Sequence, residues 1–273
     1  MAHKKYAYST VTDDLVETAN QHYQIDDSHV WYHRGRLFRF LYLCAYTIFY
    51  LVFGAYARFW LGVRFKGKEI LKPWAGKSFF IYGNHTLPLG DVALTIMLNY
   101  PHSVSAMMSQ ANFGIPLIGH ILEWANMLPV PHTPEQHQAF HMEMDNLVKE
   151  GTAIAIYPEA HVWPYYTGIR PYSAKSFAYP ARYGLPSFCS TVTYQKRLLF
   201  KRPRVTIYID GPFFPDGKEG QEERLRTTIH DTMVARSAVS TYRYASYRRQ
   251  DRADQVNQTG QAENSGSHSK ERA

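Results

Sequence analysis

Short apolar runs alternate with stretches of helical character through the middle of this 273-residue chain. The runs are rich in β-branched and aromatic residues, which is typical of buried strands. The predicted strands are Ser78–Tyr82, Ser103–Met107, Met127–Val130, Ala153–Tyr157, Ser187–Tyr194 and Val205–Ile209. The predicted helices are Asp91–Leu98, Ile115–Asn126, Pro134–Lys149 and Ser173–Tyr183. This alternation predicts an α/β fold with a single mixed, largely parallel sheet flanked by helices.

An apolar stretch near the N-terminus, Phe40–Ala57, contains no charged residue over its eighteen positions. A helix needs about 20 residues to cross a hydrocarbon core, so this stretch is at the lower limit. Basic residues lie on both sides of it, at Arg34, Arg36, Arg39, Arg58, Arg64, Lys66 and Lys68. This symmetry, together with several tyrosines, favours a docking helix or helical hairpin in one leaflet. A buried core helix and a single membrane span are the alternatives.

The rest of the chain is more polar. The predicted organisation is a polar N-terminal arm (1–30), a membrane-associated helical segment (31–62), an α/β domain (63–248) and a disordered tail (249–273). The arm has at most a short helix near Asp13 to Asn20, and the α/β domain closes with a helix from Glu219 to about Arg248. The tail is nearly free of large apolar residues, which is typical of disorder.

The formal net charge of +7 favours an anionic partner. Basic patches around 64–77 and 196–204 could contact nucleic acid, but no nucleic-acid motif is present, so we expect lipid headgroups and no nucleic-acid partner. Cys44 and Cys189 lie far apart and match no disulfide or zinc pattern. With no secretory signal pattern at the N-terminus, they favour a reducing, cytoplasmic setting.

Two other function classes lack support in the sequence. No Gly-x-Ser-x-Gly motif occurs, which argues against a serine hydrolase. His137 and His141 have the spacing of metal ligands on one helix face, but no acidic third ligand accompanies them in a known pattern. We therefore expect no metal site.

The first predicted strand ends at the most informative motif of the chain. Asn84 and His85 follow it directly, and Asp91 stands at the start of the next predicted helix. Chemistry in α/β sheets gathers where strands end and helices begin, so we expect His85 and Asp91 to lie within reach of each other. A carboxylate that accepts a hydrogen bond from one imidazole nitrogen leaves the other free to take a proton from a substrate hydroxyl. Asp91 can also cap its helix.

A second predicted strand, Ala153–Tyr157, ends in Pro158, Glu159 and His161. Glu159 alone could be an ordinary loop carboxylate. However, two strands each end at an ionisable residue, His85 and Glu159. A functional site that both residues share is therefore a stronger interpretation than a loop carboxylate.

These motifs resemble those of the glycerophospholipid acyltransferase family, whose best-known members are lysophosphatidate acyltransferases. The matching segments are Asn84-His85 with Asp91 for the first motif, Gly114–Gly119 running into Met127–Val130 for the second, Tyr157-Pro158-Glu159 for the third and Gly184-Leu185-Pro186 for the fourth. The resemblance covers roughly residues 65 to 215. An apolar segment that docks on the membrane ahead of the first motif is also usual in the family.

The resemblance implies an acyltransferase at the cytoplasmic face of the cell membrane. His85 would be the general base, oriented by Asp91, and Asn84 and Glu159 would contact substrate. The acceptor would be a lysophosphatidate-like lipid and the donor an acyl-CoA or acyl carrier protein thioester, with no bound cofactor. Backbone amides near residues 83–86 or around Gly114 are candidates for stabilising the oxyanion. A phospholipid-remodelling transacylase and a non-catalytic lipid-binding protein with decayed motifs are the alternatives.

The sequence departs from the family pattern at three places. Five residues separate His85 from Asp91, one more than in the family's motif. The arginines of the second and third motifs are absent, and His132 lies near the former. We therefore predict that Arg170 and Lys175 bind the acceptor phosphate, because arginine grips phosphate through paired hydrogen bonds and lysine offers a point charge.

Overall fold

The computed structural model describes residues 4–16, 20, 22–26, 29–33, 35–87, 90–198 and 200–250. Within these residues the strands are β1 (Lys4–Tyr8), β2 (Arg64–Lys66), β3 (Phe80–Gly83), β4 (Val104–Met108), β5 (Leu128–Pro129), β6 (Ala153–Ile156), β7 (Ser187–Gln195), β8 (Arg204–Phe213) and β9 (Ala245–Arg249). The α-helices are α1 (Arg36–Ala55), α2 (Asp91–Asn99), α3 (Ile118–Trp124), α4 (Pro134–Lys149), α5 (Ala178–Tyr183) and α6 (Gln221–Ser237).

Seven of these strands form one sheet in the order β2-β8-β7-β3-β6-β4-β5. Its neighbouring strands pair in parallel, except for the antiparallel pair of β7 and β8. Helices connect the parallel strands, as crossovers require. The predicted fold class, a mixed and largely parallel sheet flanked by helices, is confirmed.

The central strands are apolar because both faces of the sheet are covered. Every residue of β3 and β6 is buried. Side chains alternate between the faces of a strand, so Phe79 and Ile81 join one core cluster and Phe80 and Tyr82 the other. The first cluster includes residues of α2, and the second includes residues of α4 and α6. The sheet therefore separates two hydrophobic cores. Strand β3 is its middle strand and contributes side chains to both.

Helix boundaries follow local capping. Helix α4 has the predicted bounds because the Thr133 hydroxyl accepts a hydrogen bond from the Gln136 amide at 3.3 Å, with Pro134 in the first turn. Helix α3 begins three residues later than predicted, after Pro116 and a left-handed Leu117 with φ of 64°. The predicted helix Ser173–Tyr183 is a short 3₁₀ turn, Lys175–Phe177, followed by α5.

The two ends of the described chain pair with each other. Strand β1 lies parallel to β9, with Lys4 opposite Ala245. Residues 1–30 are therefore not entirely a loose arm, and the predicted helix to Arg248 is wrong beyond Ser237. Two backbone amides that follow α6 instead bond the Tyr194 carbonyl of β7.

Two predictions fall partly outside the described residues. The short helix expected near Asp13 to Asn20 is not formed at residues 13–16, and residues 17–19 lie outside the described part. Of the predicted disordered tail, Arg249 belongs to β9, and residues 251–273 lie outside the described part.

The apolar stretch forms one continuous helix and not a hairpin. Helix α1 runs directly into a π-helical segment, Tyr56–Leu61, and together they span 26 residues. By length and composition this helix could cross a membrane. Tyr46 is the buried residue of α1, and most of the large apolar side chains are exposed. The alternative of a buried core helix is therefore wrong.

The helix lies along the α/β domain over its whole length. Near its start, the Phe38 ring packs against Trp124 of α3 at 5.8 Å. In its middle, the Tyr46 hydroxyl donates to the His102 carbonyl at 3.1 Å. Near its end, Arg197 donates to the Trp60 carbonyl at 2.8 Å. Both ends of the helix are thus attached to the same domain.

Candidate active site

The structure brings together the predicted His85 and Asp91. His85 follows the end of β3, and Asp91 is the first residue of α2. The imidazole Nδ1 lies 2.8 Å from the Asp91 Oδ2. An ionised carboxylate only accepts hydrogen bonds, so Nδ1 carries the proton and Nε2 is the basic nitrogen. The His85 side chain is 20% exposed and that of Asp91 is 1% exposed, so the base meets solvent while its partner is buried.

Backbone amides fix the Asp91 carboxylate in this position. The same Oδ2 accepts hydrogen bonds from the Thr86 amide at 2.8 Å and from the Leu87 amide at 2.9 Å. Residues 88 and 89 of this loop lie outside the described part of the chain. The additional residue in the motif is therefore compatible with contact between the imidazole and the carboxylate.

Two amides proposed for the oxyanion already have acceptors. The His85 amide donates to the Glu159 Oε2 at 3.2 Å, and the Thr86 amide donates to Asp91. These groups orient the two carboxylates, and in this arrangement they do not point at a reacting carbonyl.

Asn84 has a structural role in place of the predicted substrate contact. Its side chain is buried and exchanges two hydrogen bonds with the backbone of Val192 on β7, at 3.1 and 2.8 Å. A buried amide whose oxygen and nitrogen are both bonded is satisfied without a ligand. Asn84 therefore joins the end of β3 to β7 beside His85.

Tyr157 supports the imidazole, a role that the sequence did not reveal. Its ring stacks on the His85 ring with a centroid distance of 4.9 Å, and its hydroxyl lies 2.7 Å from the Thr95 hydroxyl of α2. Burial raises the pKa of Tyr157 well above its usual value, so the hydroxyl stays protonated. The contact arises because β3 and β6 are neighbours in the sheet, so that the residues after both strands lie side by side.

Glycine at position 83 makes room for this stack. A Cβ added there would meet the Tyr157 Cε1 at 2.6 Å. We expect Gly83→Ala to lower the free energy of unfolding by about 1–3 kcal/mol, because the ring must shift in a packed core. Urea denaturation would measure the change.

Gly54→Ala on α1 is the matched control for that substitution. Its added Cβ would make an ordinary contact of 3.6 Å with the Met97 Cε, and alanine is the better helix former. A Gly83→Ala protein as stable as the wild type would contradict the close packing.

Glu159 and Arg170 form a buried ion pair. The Arg170 Nη2 lies 3.2 Å from the Glu159 Oε2, and their side chains are 2% and 1% exposed. The Arg170 amide also donates to the Glu159 Oε1 at 3.0 Å. Burial raises the pKa of Glu159, and the Arg170 guanidinium and two backbone amides oppose that shift. Glu159 thereby links the His85 backbone to Arg170 from a buried position.

Arg170 is not placed to bind a phosphate, contrary to the prediction. Its guanidinium also donates to the Val11 carbonyl at 3.1 Å and lies 4.9 Å from the centre of the Trp163 ring. The guanidinium is buried, and both of its terminal nitrogens have carbonyl or carboxylate partners, so it presents no donor to an anion at the surface. Lys175, by contrast, is exposed at the start of its 3₁₀ turn.

One of the two histidines of α4 lies beside an arginine. The His141 Nδ1 lies 3.1 Å from the Arg182 Nη1. Among the described residues, no group of three or more His, Cys, Asp or Glu side chains could hold a metal ion.

Comparisons with known proteins extend this description of the fold. The chain has the architecture of an acyltransferase of known structure, with a mixed, mostly parallel sheet flanked by helices. That neighbour is the 1-acyl-sn-glycerophosphate (LPA) acyltransferase PlsC from Thermotoga maritima, matched with a TM-score of 0.53. The match covers 77% of this chain and 86% of PlsC at 14% sequence identity. No family model matches the sequence, and no curated protein matches it. At this identity the likeness establishes the fold.

Proposed function

We propose that this protein is an acyltransferase of the glycerophospholipid acyltransferase family. It moves a fatty acyl group from acyl-CoA or acyl carrier protein to the free hydroxyl of a lysophosphatidate-like lipid. The observation that carries the proposal is the 2.8 Å hydrogen bond between His85 and Asp91, which leaves Nε2 as a base. The shared fold with PlsC is consistent with it.

The reaction needs one proton carrier. Nε2 of His85 takes the hydroxyl proton as the acceptor oxygen attacks the thioester carbonyl. The Asp91 carboxylate stabilises the imidazolium that forms. The tetrahedral intermediate then expels sulfur, and the imidazolium returns the proton to the leaving thiol. A C–O bond replaces a C–S bond, and His85 ends in its starting state. The thioester is a co-substrate, so this scheme uses no bound cofactor.

Recognition of the acceptor phosphate falls to Lys175 in this proposal. Lys175 is exposed, whereas Arg170 is committed to Glu159. A single lysine offers a point charge without the paired geometry of arginine. We therefore expect this protein to discriminate less strongly for acceptors that carry a phosphate than an enzyme that binds the phosphate with an arginine.

We propose that the enzyme works at the cytoplasmic face of the membrane and that α1 lies along the bilayer surface. The support for the position of α1 is that both ends of the helix contact one domain, through Phe38 at the start and Trp60 at the end. A helix of this length spans about 30 Å or more, so crossing the bilayer would place those ends on opposite sides.

The direct test is an acyl-transfer assay with the purified full-length protein. Labelled acyl-CoA and acyl carrier protein would be offered with a panel of lysophospholipids, and products read by mass spectrometry. We expect one acylated lipid for each free thiol released. An acylated lipid that carries no label and forms without thiol release would indicate a transacylase, because the acyl group then comes from another lipid. Lipid binding without transfer from either donor would contradict the proposal and indicate a non-catalytic protein.

Asp91→Asn tests the orienting carboxylate. An asparagine oxygen can keep the hydrogen bonds from His85 and the two amides, but it no longer offsets the imidazolium charge. We expect kcat to fall by about 10- to 100-fold, since a hydrogen bond to a charged group contributes about 1.5–3 kcal/mol.

Asp14→Asn provides the matched control for Asp91→Asn. Asp14 is an exposed carboxylate whose Oδ2 lies 3.4 Å from the Nδ1 of another imidazole, that of His161. Equal activity in the two variants would mean that Asp91 has no part in catalysis.

A further inference from the structure

The turn between β7 and β8 exposes large apolar side chains. Leu198 is 96% exposed and Phe200 is 58% exposed. Four basic side chains flank them in the described residues, namely Lys196, Arg197, Lys201 and Arg202. We refer to residues 196–198 and 200–202 as the hairpin tip.

This composition is unusual for a turn that faces water. Loop tips are normally polar, and contiguous exposed apolar side chains mark a contact site. No residue from 195 to 204 is acidic, so no neighbour along the turn neutralises the basic side chains. Apolar side chains between pairs of cations match the layering of a bilayer surface, where acyl chains lie beneath anionic headgroups.

The hairpin tip lies against the end of the membrane-associated helix. Arg197 donates to the Trp60 carbonyl at 2.8 Å, and the Arg202 guanidinium carbon lies 5.1 Å from the centre of the Trp60 ring. Trp60 and the adjacent Phe59 are themselves 54% and 78% exposed. The exposed apolar surface of the helix therefore continues onto the hairpin tip.

We propose that the hairpin tip is a second membrane contact, selective for anionic phospholipids. Leu198 and Phe200 enter the acyl-chain region, and the exposed basic side chains of Lys196, Lys201 and Arg202 meet the headgroups. This inference rests on the proposed docking of α1. A lone helix in the bilayer surface leaves the domain free to rotate about the helix axis. A contact to one side of that axis fixes the rotation, and with it the direction in which His85 faces.

Site-specific fluorescence tests the contact in the full-length protein. A Cys44→Ser background retains the buried Cys189. An environment-sensitive dye is attached through Leu198→Cys or through Lys218→Cys. Lys218 is exposed beyond the far end of β8, and the nine residues of β7 put about 30 Å between the two ends of the hairpin. Vesicles contain phosphatidylcholine with or without phosphatidylglycerol, and co-sedimentation reports total binding.

The expected result has two parts. Vesicles with phosphatidylglycerol shift the emission of the dye at position 198 to the blue, and spin-labelled lipids quench it, while the dye at position 218 does not respond. Vesicles of phosphatidylcholine alone give a smaller shift at position 198. Adding Lys196→Gln and Lys201→Gln removes most of the difference between the two kinds of vesicle, because each basic residue near an anionic surface contributes about fivefold in affinity.

Other outcomes overturn the proposal and separate its parts. If the protein co-sediments but the dye at position 198 stays in water, α1 docks and the hairpin tip does not. If the protein does not co-sediment, the proposed membrane docking fails with it. An equal shift in both kinds of vesicle removes the selectivity for anionic lipid. A response to a short RNA duplex but not to vesicles assigns the basic residues to nucleic acid.

Discussion

Replacing His85 with alanine is expected to lower kcat/KM for acyl transfer by about 10²- to 10⁴-fold, the usual contribution of a general base. The imidazole Nε2 is the group that takes the acceptor proton in the proposed reaction, and alanine has no substitute for it. Initial rates with a labelled thioester donor and a lysophospholipid would measure the loss.

The His85→Ala protein should remain folded and bound to membranes. Asp91 keeps its hydrogen bonds from the Thr86 and Leu87 amides, so its carboxylate is not left without partners. His137→Ala is the matched control, because it removes an exposed imidazole from α4. Circular dichroism and vesicle co-sedimentation should not distinguish the two variants. Turnover near the wild-type rate in His85→Ala would reject the mechanism.

Replacing Arg170 with alanine is expected to lower the free energy of unfolding by about 3–5 kcal/mol, as is typical when one partner of a buried ion pair is removed. Glu159 would keep its backbone donors but lose the guanidinium at 3.2 Å. The loss should appear as a lower midpoint in urea. Arg224→Ala is the control, because its pair with Asp216 lies at the surface and such pairs contribute little.

The loss of stability in Arg170→Ala should depend on pH. Burial already raises the pKa of Glu159 in the folded protein, and removing Arg170 raises it further. A raised folded pKa means that the native state holds its proton more tightly than the unfolded chain. The variant should therefore be closest to wild type below the ordinary pKa of glutamate and lose stability as the pH rises through the folded value. A loss independent of pH, and equal to that of Arg224→Ala, would contradict the buried pair.

The sequence predicted the elements whose signals are local. Apolar runs located the central strands, and a stretch of helical character located α4, because both patterns are set over a few residues. The contact between His85 and Asp91 was also predictable, since a strand end and the following helix start are close in the chain. The added residue of the motif falls in the loop, where it does not turn a helix face.

The errors concern partners that are distant in the chain. Arg170 was assigned to phosphate because its sequence neighbours do not reveal that Glu159 folds back onto it. Strands β1 and β9 were missed because they are short, largely exposed and rich in basic residues, and each is paired only by the other end of the chain. Patterns of apolar residues report burial, and these strands bury little.

The pairing of β1 with β9 has a consequence for how the protein is made. These strands contact the loop that follows Glu159: the Tyr8 ring of β1 packs on Trp163 at 4.7 Å, and the Tyr247 hydroxyl of β9 donates to the Pro164 carbonyl at 2.6 Å. A ribosome synthesises β1 before every strand of the central sheet, and β9 after all of them, more than two hundred residues later. Strand β1 must wait for β9 before either has its partner, so this loop acquires these contacts only after the strands of the central sheet have been synthesised.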